Sequence, residues 1–235
     1  MKTAVTKLVL LQTLFACLAS CRKDELIIPS TDTDTGGGSA NTGPVKGFFL
    51  LNEGNMGSNK STLDYYDYET GVYTKNIYAE RNPGVVKELG DVGNDIQIYG
   101  DKLYAVINCS HFVEVMDVRT AKHIKAVSIP NCRYVVFKDK YAYVSSYAGP
   151  VLIDPNARLG YVARMDTTDL AVIDTCVVGY QPEEMVIVGN KLYVANSGGY
   201  RVPNYDNTVS VIDLVRFKEI KKIEEEYAKT ETPVV

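Results

Sequence analysis

The residues best suited to contact a polar ligand lie between short apolar runs. Tyrosine offers a rigid, amphipathic surface, while Asn, Gln and Arg add adaptable hydrogen-bonding groups. This mixture is typical of a surface that recognises a large polar ligand, so we predict one ligand-binding face. Its candidate residues are Asn55, His111, Arg133, Tyr147, Tyr180, Gln181, Tyr200, Arg201 and Tyr205.

Patterns for catalysis are weaker. No Ser-His-acid order stands out, and the two histidines, His111 and His123, lack the spacing of metal ligands. We expect His123 to face solvent from an outer strand. Glu53 with Asp64 or Asp67 could form a carboxylate pair for glycoside hydrolysis, although a turn also explains Asp67. We therefore predict a protein that is not an enzyme, with no catalytic residue, metal or cofactor.

Two further patterns leave alternatives open. Asn204-Tyr205-Asp206-Asn207 could hold a cation through its oxygen atoms or simply form a turn. The five cysteines contain no C-x-x-C pair, so a zinc or thioredoxin-type motif is absent. Cys109 and Cys132 are both expected on the ligand-binding face, either as a disulfide or as free thiols. Cys176 then has no partner.

The composition narrows the class of protein. A net charge of −4 provides no basic footprint for nucleic acid. A hydrophobic content of 46% is typical of a globular chain. Seventeen tyrosines and no tryptophan, with abundant Val and Ile, favour β structure.

A recurring unit must position the candidate residues. In each copy a turn and a short apolar strand are followed by a polar loop and a second strand that ends on aspartate. The closing aspartates are spaced by 50, 49 and 47 residues, and a fixed period of this length marks a repeat architecture. The copies are 47–67, 101–117, 139–166 and 189–213, which end on Asp67, Asp117, Asp166 and Asp213.

Each full unit predicts four strands. In the last unit they cover 185–188, 192–195, 209–212 and 219–223. The first is apolar, as expected of a strand buried on both faces, and the fourth is charged, as expected of an outer edge. Four-stranded units at this period predict an all-β fold, a β-propeller of antiparallel blades.

The turns agree with this assignment. Two residues separate the first and second strands at Gly100-Asp101, Lys138-Asp139 and Gly189-Asn190, which is the length of a tight hairpin. The first unit begins at its second strand, so its innermost strand must come from the far end of the chain. We expect about four blades here, as the front part of a seven-bladed ring. A four-bladed ring with a short closing strand is the alternative.

The N-terminus predicts a membrane address. Residues 1–20 have the layout of a signal peptide, with basic and apolar regions in order. Leu18-Ala19-Ser20-Cys21 resembles the bacterial lipobox, which implies lipidation of Cys21. Lys23, Asp24 and Glu25 resemble the surface-export signal of Bacteroidetes lipoproteins. Residues 21–44 then form a flexible tether, and 45–235 form the propeller.

The blade sequence Gly-Asn-Lys-Leu-Tyr-Val-Ala-Asn at 189–196 resembles the YncE-like propeller repeat. Together with the lipobox and the export signal, it resembles the cobalamin-capturing (BtuG-like) surface lipoproteins of Bacteroides. The resemblance implies an outer-membrane lipoprotein that faces the cell exterior, binds a corrinoid and delivers it to a TonB-dependent transporter. Alternatives are a propeller that binds a glycan or a protein and, among enzymes, a propeller lactonase or quinone-dependent dehydrogenase.

Overall fold

A computed structural model describes residues 45–85 and 88–224. The predicted signal peptide, the lipidated Cys21, the export residues Lys23, Asp24 and Glu25, and the tether lie outside the described residues. The same holds for 225–235, which the alternative of a four-bladed ring would use as its closing strand. Within the described residues, no helix is long and apolar enough to cross a membrane.

The described residues form four antiparallel sheets in chain order, which we call blades 1 to 4. Blade 1 contains β1 (Gly47–Asn52), β2 (Thr62–Asp67) and β3 (Tyr73–Thr74), followed by helix α1 (Ile77–Arg81). Blade 2 contains β4 (Gly93–Tyr99), β5 (Lys102–Ile107), β6 (Phe112–Asp117) and β7 (His123–Ser128). Blade 3 contains β8 (Cys132–Lys138), β9 (Tyr141–Ser146), β10 (Tyr161–Asp166) and β11 (Val172–Val177). Blade 4 contains β12 (Pro182–Val188), β13 (Lys191–Asn196), β14 (Thr208–Asp213) and β15 (Lys218–Glu224).

The four-stranded propeller blade predicted from the repeat is confirmed. Each sheet pairs its strands in sequence order, and the inner strands β4, β8 and β12 lie side by side. Blade 1 has three strands among the described residues, as expected for a unit that begins at its second strand.

Two-residue hairpins join the inner strands to their neighbours. They are Gly100-Asp101, Asp139-Lys140 and Gly189-Asn190. The middle turn lies one residue later than the sequence predicted, because Lys138 still pairs with Tyr141 as the last residue of β8. The first residue of each turn has a positive φ, which Gly adopts freely and Asp tolerates.

The closing aspartates cap turns, as predicted. The Asp117 Oδ1 atom accepts hydrogen bonds from the backbone N–H groups of Arg119 and Thr120, at 3.0 and 2.9 Å. Equivalent bonds reach Asp67, Asp166 and Asp213. We call the end of the blades that carries these turns the turn face, and the opposite end the loop face.

The core consists of apolar layers between successive blades. Blades 1 and 2 enclose Leu63, Leu103 and Met116, and blades 3 and 4 enclose Val162 and Leu192. The layer between blades 2 and 3 contains Tyr104, Val135, Val144 and other buried side chains. Alternate residues along each strand supply these layers, because every second side chain points to the same face of the sheet.

One burial expectation needs correction. The segment 185–188 is not buried on both faces, since Val186 and Val188 are 56% and 62% exposed. No other blade covers that face among the described residues. His123 is exposed on the outer strand β7, as predicted, and its Nδ1 atom lies 2.5 Å from the buried carboxylate of Glu114.

Candidate functional site at the loop face

The loop face is formed by the connections between the second and third strands of each blade. They cover 53–61, 108–111, 147–160 and 197–207. The two longest belong to blades 3 and 4. The connections that precede the inner strands lie at the same end, and two of the candidate residues, Tyr180 and Gln181, lie in the one before β12.

One backbone position anchors the loops of blades 2, 3 and 4. Val92, Asn131 and Gln181 each lie just before an inner strand and have φ values of 60°, 42° and 47°. Their side chains are buried. The Gln181 Oε1 atom accepts the Tyr200 backbone N–H at 2.7 Å, and Asn131 Nδ2 donates to the Gly149 carbonyl. The buried Gln181 side chain therefore positions the blade 4 loop.

Two residues after this position, each inner strand carries a polar side chain that lies at the centre of the site. Arg133 on β8 and Glu183 on β12 form an ion pair, with Nε and Oε2 separated by 2.9 Å. Their side chains are only 19% and 23% exposed. On β4 the equivalent residue is Asn94, whose Nδ2 atom donates to the Arg133 carbonyl at 2.5 Å. A polar chain thus crosses three neighbouring blades.

Glu183 collects two further donors from the loops. The Tyr147 hydroxyl donates to its Oε1 atom, and Ser197 Oγ lies 3.4 Å from the same oxygen. Burial and the nearby Glu183 carboxylate raise the pKa of Tyr147, so the phenol keeps its proton. Desolvation lowers the pKa of Arg133, but electrostatic interactions with Tyr147 and Glu183 and the hydrogen bond to Glu183 outweigh it, so the pKa is raised. The cluster is therefore formed and charged before any ligand binds.

Aromatic and cationic groups surround this cluster. The Arg133 guanidinium lies 5.1 Å from the centre of the Tyr147 ring, and the Tyr200 ring centre lies 6.2 Å from that of Tyr147. Arg201 stacks over Tyr180 at 3.6 Å, a cation–π contact. The Arg201 Nε atom is buried without a hydrogen-bond partner among the described residues.

The structure therefore brings six of the nine candidates together between blades 3 and 4. They are Arg133, Tyr147, Tyr180, Gln181, Tyr200 and Arg201. We call these six residues, with Glu183 and Ser197, the loop-face cluster. Tyr205 lies in the blade 4 loop, with Tyr200 and Arg201, and is 61% exposed.

The remaining two candidates lie apart. Asn55 is exposed in the blade 1 loop, where its carbonyl accepts the Ser58 N–H. His111 occupies a tight turn with φ of 64°, and its Nδ1 atom accepts the Asn131 backbone N–H at 3.2 Å. No contact among the described residues links either side chain to Glu183.

Glu183 and Ser197 were missed from the sequence. The signal for Glu183 was present, because it occupies the repeat position of Arg133, with opposite charge, 50 residues later. A pair of opposite charges at equivalent positions on neighbouring strands predicts an ion pair. Ser197 has no comparable signal, since serine is common in loops.

The structure gives structural roles to the groups considered for catalysis or metal binding. Asp64 accepts hydrogen bonds from Asn52 Nδ2, the Tyr73 hydroxyl and the Asn76 N–H, and Asp67 lies in a turn-face cap. Asp206 accepts the Tyr180 N–H at 2.7 Å and the Thr208 hydroxyl. Among residues 45–85 and 88–224, no group of three His, Cys, Asp or Glu side chains could hold a metal.

The three described cysteines are free thiols. Burial raises the pKa of the Cys132 thiol to about 12 and also raises that of Cys109. A thiol with a raised pKa is a poor nucleophile at neutral pH because the thiolate is the reactive form.

Comparisons with known proteins agree with the fold. Residues 46–232 match the family described as Domain of unknown function (DUF5074), and curated proteins gave no match. Kuenenia stuttgartiensis hydrazine synthase is similar at 16% identity and a TM-score of 0.55, over 69% of this chain and 42% of that one. Dihydro-heme d1 dehydrogenase NirN in complex with DHE is similar at 11% identity and a TM-score of 0.49, over 74% and 35%. This chain spans less than half the length of either structure, and the likeness to hydrazine synthase shows the fold alone.

Proposed function

We propose that this chain, which belongs to the DUF5074 domain family and folds as a β-propeller, is a non-catalytic binding protein that captures a corrinoid, cobalamin in particular, at its loop face. The observation that carries the proposal is the loop-face cluster, in which a preformed Arg133–Glu183 ion pair lies beside exposed aromatic rings. Preformed polar groups reduce the entropy lost on binding.

The free hydrogen-bonding capacity of the cluster suits a neutral polar ligand. Glu183 is already bonded to Arg133 and Tyr147, so its charge is compensated. Arg133 uses only its Nε atom in hydrogen bonds among the described residues, which leaves its Nη atoms to donate. A corrinoid is broad and edged with amide groups whose oxygens accept such bonds, while the Tyr200 and Tyr205 rings provide stacking surface.

The N-terminal sequence supports a cellular location for this corrinoid binding, at the outer membrane. A lipobox at Cys21 and an export signal at Lys23, Asp24 and Glu25 suit a lipoprotein on the outer membrane that faces the cell exterior. Acyl chains contribute about 0.8 kcal/mol per buried CH₂, so more than one chain gives stable anchoring. In this setting the protein delivers its ligand to a TonB-dependent transporter.

Calorimetry of the mature chain with cyanocobalamin and with cobinamide tests the proposal. We expect saturable heat at micromolar protein, and we expect Tyr200→Ala to weaken binding by about tenfold, or about 1.4 kcal/mol. Tyr68→Ala is the matched control, because it removes a tyrosine from the turn face, where Tyr68 contacts Phe48 and Tyr66.

Two outcomes would contradict corrinoid capture. One is the absence of heat with both corrinoids, and the other is equal weakening by Tyr200→Ala and Tyr68→Ala. Heat with an oligosaccharide panel in place of the corrinoids would instead assign the loop face to glycan binding. Protease shaving of intact cells tests the location, since a protected protein would place the anchor on the periplasmic side.

A further inference from the structure

One residue of each turn at the turn face lies where two blades meet, and we call it the plug residue. It is the fourth residue after each capping aspartate and has a positive φ in every blade. The residues are Gly71, Ala121, Leu170 and Phe217, with φ values of 71°, 53°, 58° and 50°. The backbone at this residue is therefore left-handed in all four turns, while the size of the side chain differs.

Large plugs fill two of the gaps. Leu170 is 3% exposed and belongs to the apolar layer between blades 2 and 3. Phe217 is also 3% exposed and lies between blades 3 and 4, where its ring centre is 5.8 Å from that of Tyr143 and 4.5 Å from the Arg164 guanidinium. Both side chains make the closely packed contacts expected of a protein interior.

The gap between blades 1 and 2 has only Ala121 as its plug. Ala121 is 1% exposed, so its methyl group lies at the correct place but cannot fill the space. A cavity of about 430 Å³ remains there, lined on its apolar side by Phe49, Tyr65, Ile77 and Ala121. A second cavity of about 520 Å³ shares Phe49 and Tyr65 with it. Volumes of this size suit a small organic molecule.

The charged side chains that line this cavity are mainly cationic. It contains Lys46, Arg81 and Arg119, with Asp67 as the single acid. The Asp67 carboxylate already accepts two turn N–H groups through Oδ1, and Arg81 has a long, exposed contact of 3.5 Å with Glu80. Among the described residues, neither Lys46 Nζ nor the Arg119 guanidinium has an ion-pair partner within 4 Å.

We propose that this cavity, which we call the blade 1–2 cavity, binds an organic anion with a flat apolar body. The body packs against Phe49, Tyr65 and Ile77, and a carboxylate or phosphate group contacts Arg119 and Lys46. Arginine is well suited to this contact because its planar fork matches such groups. The site is separate from the loop-face cluster, since it opens at the turn face, and it does not depend on corrinoid capture.

Ligand-detected NMR with 2-naphthoate, and with 2-naphthamide as its neutral analogue, tests the proposal on the mature chain. We expect 2-naphthoate to bind at millimolar concentration or below, at least about tenfold more tightly than 2-naphthamide. Ala121→Phe restores the plug that blade 4 carries at the same backbone position, so it should weaken 2-naphthoate at least about tenfold. Val215→Phe is the matched control, because Val215 is 74% exposed in the blade 4 turn.

The charge requirement is tested by a second variant, Lys46→Gln with Arg119→Gln, which changes two exposed side chains and should fold normally. We expect it to bring the affinity for 2-naphthoate to that for 2-naphthamide. The proposal is overturned if 2-naphthoate does not bind, if both probes bind equally, or if the double variant binds as the parent does. It is also overturned if a folded Ala121→Phe variant, verified by circular dichroism, keeps its affinity.

Discussion

Both ends of the blades have a repeated backbone, but the turn face repeats one residue type and the loop face varies it. At the turn face, Asp67, Asp117, Asp166 and Asp213 occupy one repeat position and accept the same backbone N–H groups. At the loop face, one repeat position on the inner strand carries Asn94, Arg133 or Glu183. An identical residue at a repeated position marks what the backbone requires, whereas different residues on an identical backbone are available for function.

An intermediate case supports this distinction. Val92, Asn131 and Gln181 share the left-handed conformation, so the backbone requirement is constant. The two amides also hold the long loops of blades 3 and 4 through Gly149 and Tyr200, whereas Val92 has no side-chain hydrogen bond to give. The side chain therefore varies with the length of the loop that it supports.

The largest expected effect is at the loop face. Glu183→Ala leaves the half-buried Arg133 and the buried Tyr147 hydroxyl without their partner, so we expect a loss of about 2 kcal/mol in the free energy of unfolding. Urea denaturation measures it. The neighbouring exposed Glu184 is the matched control, and Glu184→Ala should change stability by less than about 0.5 kcal/mol. Equal effects of the two substitutions would show that the ion pair does not organise this face.

The turn face should respond less strongly but uniformly. Asp117→Ala removes the acceptor for two turn N–H groups, and substitutions of this kind at capping positions cost about 1 kcal/mol. Because Asp67 accepts the two equivalent N–H groups in blade 1, Asp67→Ala should give a similar loss when measured by urea denaturation. A large difference in the free energy of unfolding between these two variants would show that the turn face is not uniform, which would contradict the contrast with the loop face.

Sequence periodicity predicted this regular part of the molecule well. The strands, the hairpins and the capping aspartates follow from residue types at a fixed period, because turns and strands depend on local backbone preferences. The period also placed Arg133, Tyr147 and Tyr200 on one face. It could not identify Glu183 as their common partner, since a contact between strands 50 residues apart depends on how two blades pack.

The burial of 185–188 was predicted wrongly for a related reason. An apolar strand indicates burial only if another layer covers it, and the sequence of one blade contains no information about its neighbour. The blade 1–2 cavity was missed in the same way. Ala121 looks ordinary until it is compared with Leu170 and Phe217, which occupy the same backbone position and are equally buried.

Acid should weaken the turn face specifically. Hydrogen bonds from the turn lower the pKa of Asp117 below its ordinary value of 3.8, and those of Asp67, Asp166 and Asp213 are also lowered. A carboxylate with a lower pKa in the folded state stabilises the fold above its unfolded pKa, and that stability is lost as the pH falls through the folded pKa. Thermal melts from neutral pH to below pH 3.8 measure this loss.

Asp117→Asn tests whether this carboxylate causes the loss of stability in acid, because the amide keeps an oxygen acceptor but does not titrate in this pH range. Its melting temperature should lie below that of the parent at neutral pH, because the variant lacks the stabilising charge, and should fall less steeply with acid. The two proteins should then converge below the unfolded pKa of 3.8. If both proteins lose stability at the same rate below the unfolded pKa, the turn aspartates do not cause the acid dependence.

The smallest expected effect has the opposite pH dependence and lies between the two faces, on the flank of blade 2. Glu114 is 2% exposed, and burial raises its pKa even though His123 and Tyr78 donate to or contact its carboxylate. An acid with a raised folded pKa stabilises the fold below its unfolded pKa of about 4.5, and this contribution is lost as the pH rises through the folded pKa.

Glu114→Gln removes the charge and keeps oxygen and nitrogen atoms for Tyr78 and His123. We therefore expect a change of less than about 1 kcal/mol at neutral pH, with the variant gaining stability relative to the parent as the pH rises above about 4.5. Paired melts of Glu114→Gln and Asp117→Asn across the same pH range should then diverge from the parent in opposite directions. The opposite signs arise because burial destabilises the charged form of Glu114, whereas turn N–H groups stabilise the charged form of Asp117. Parallel curves for the two variants would mean that burial does not govern Glu114.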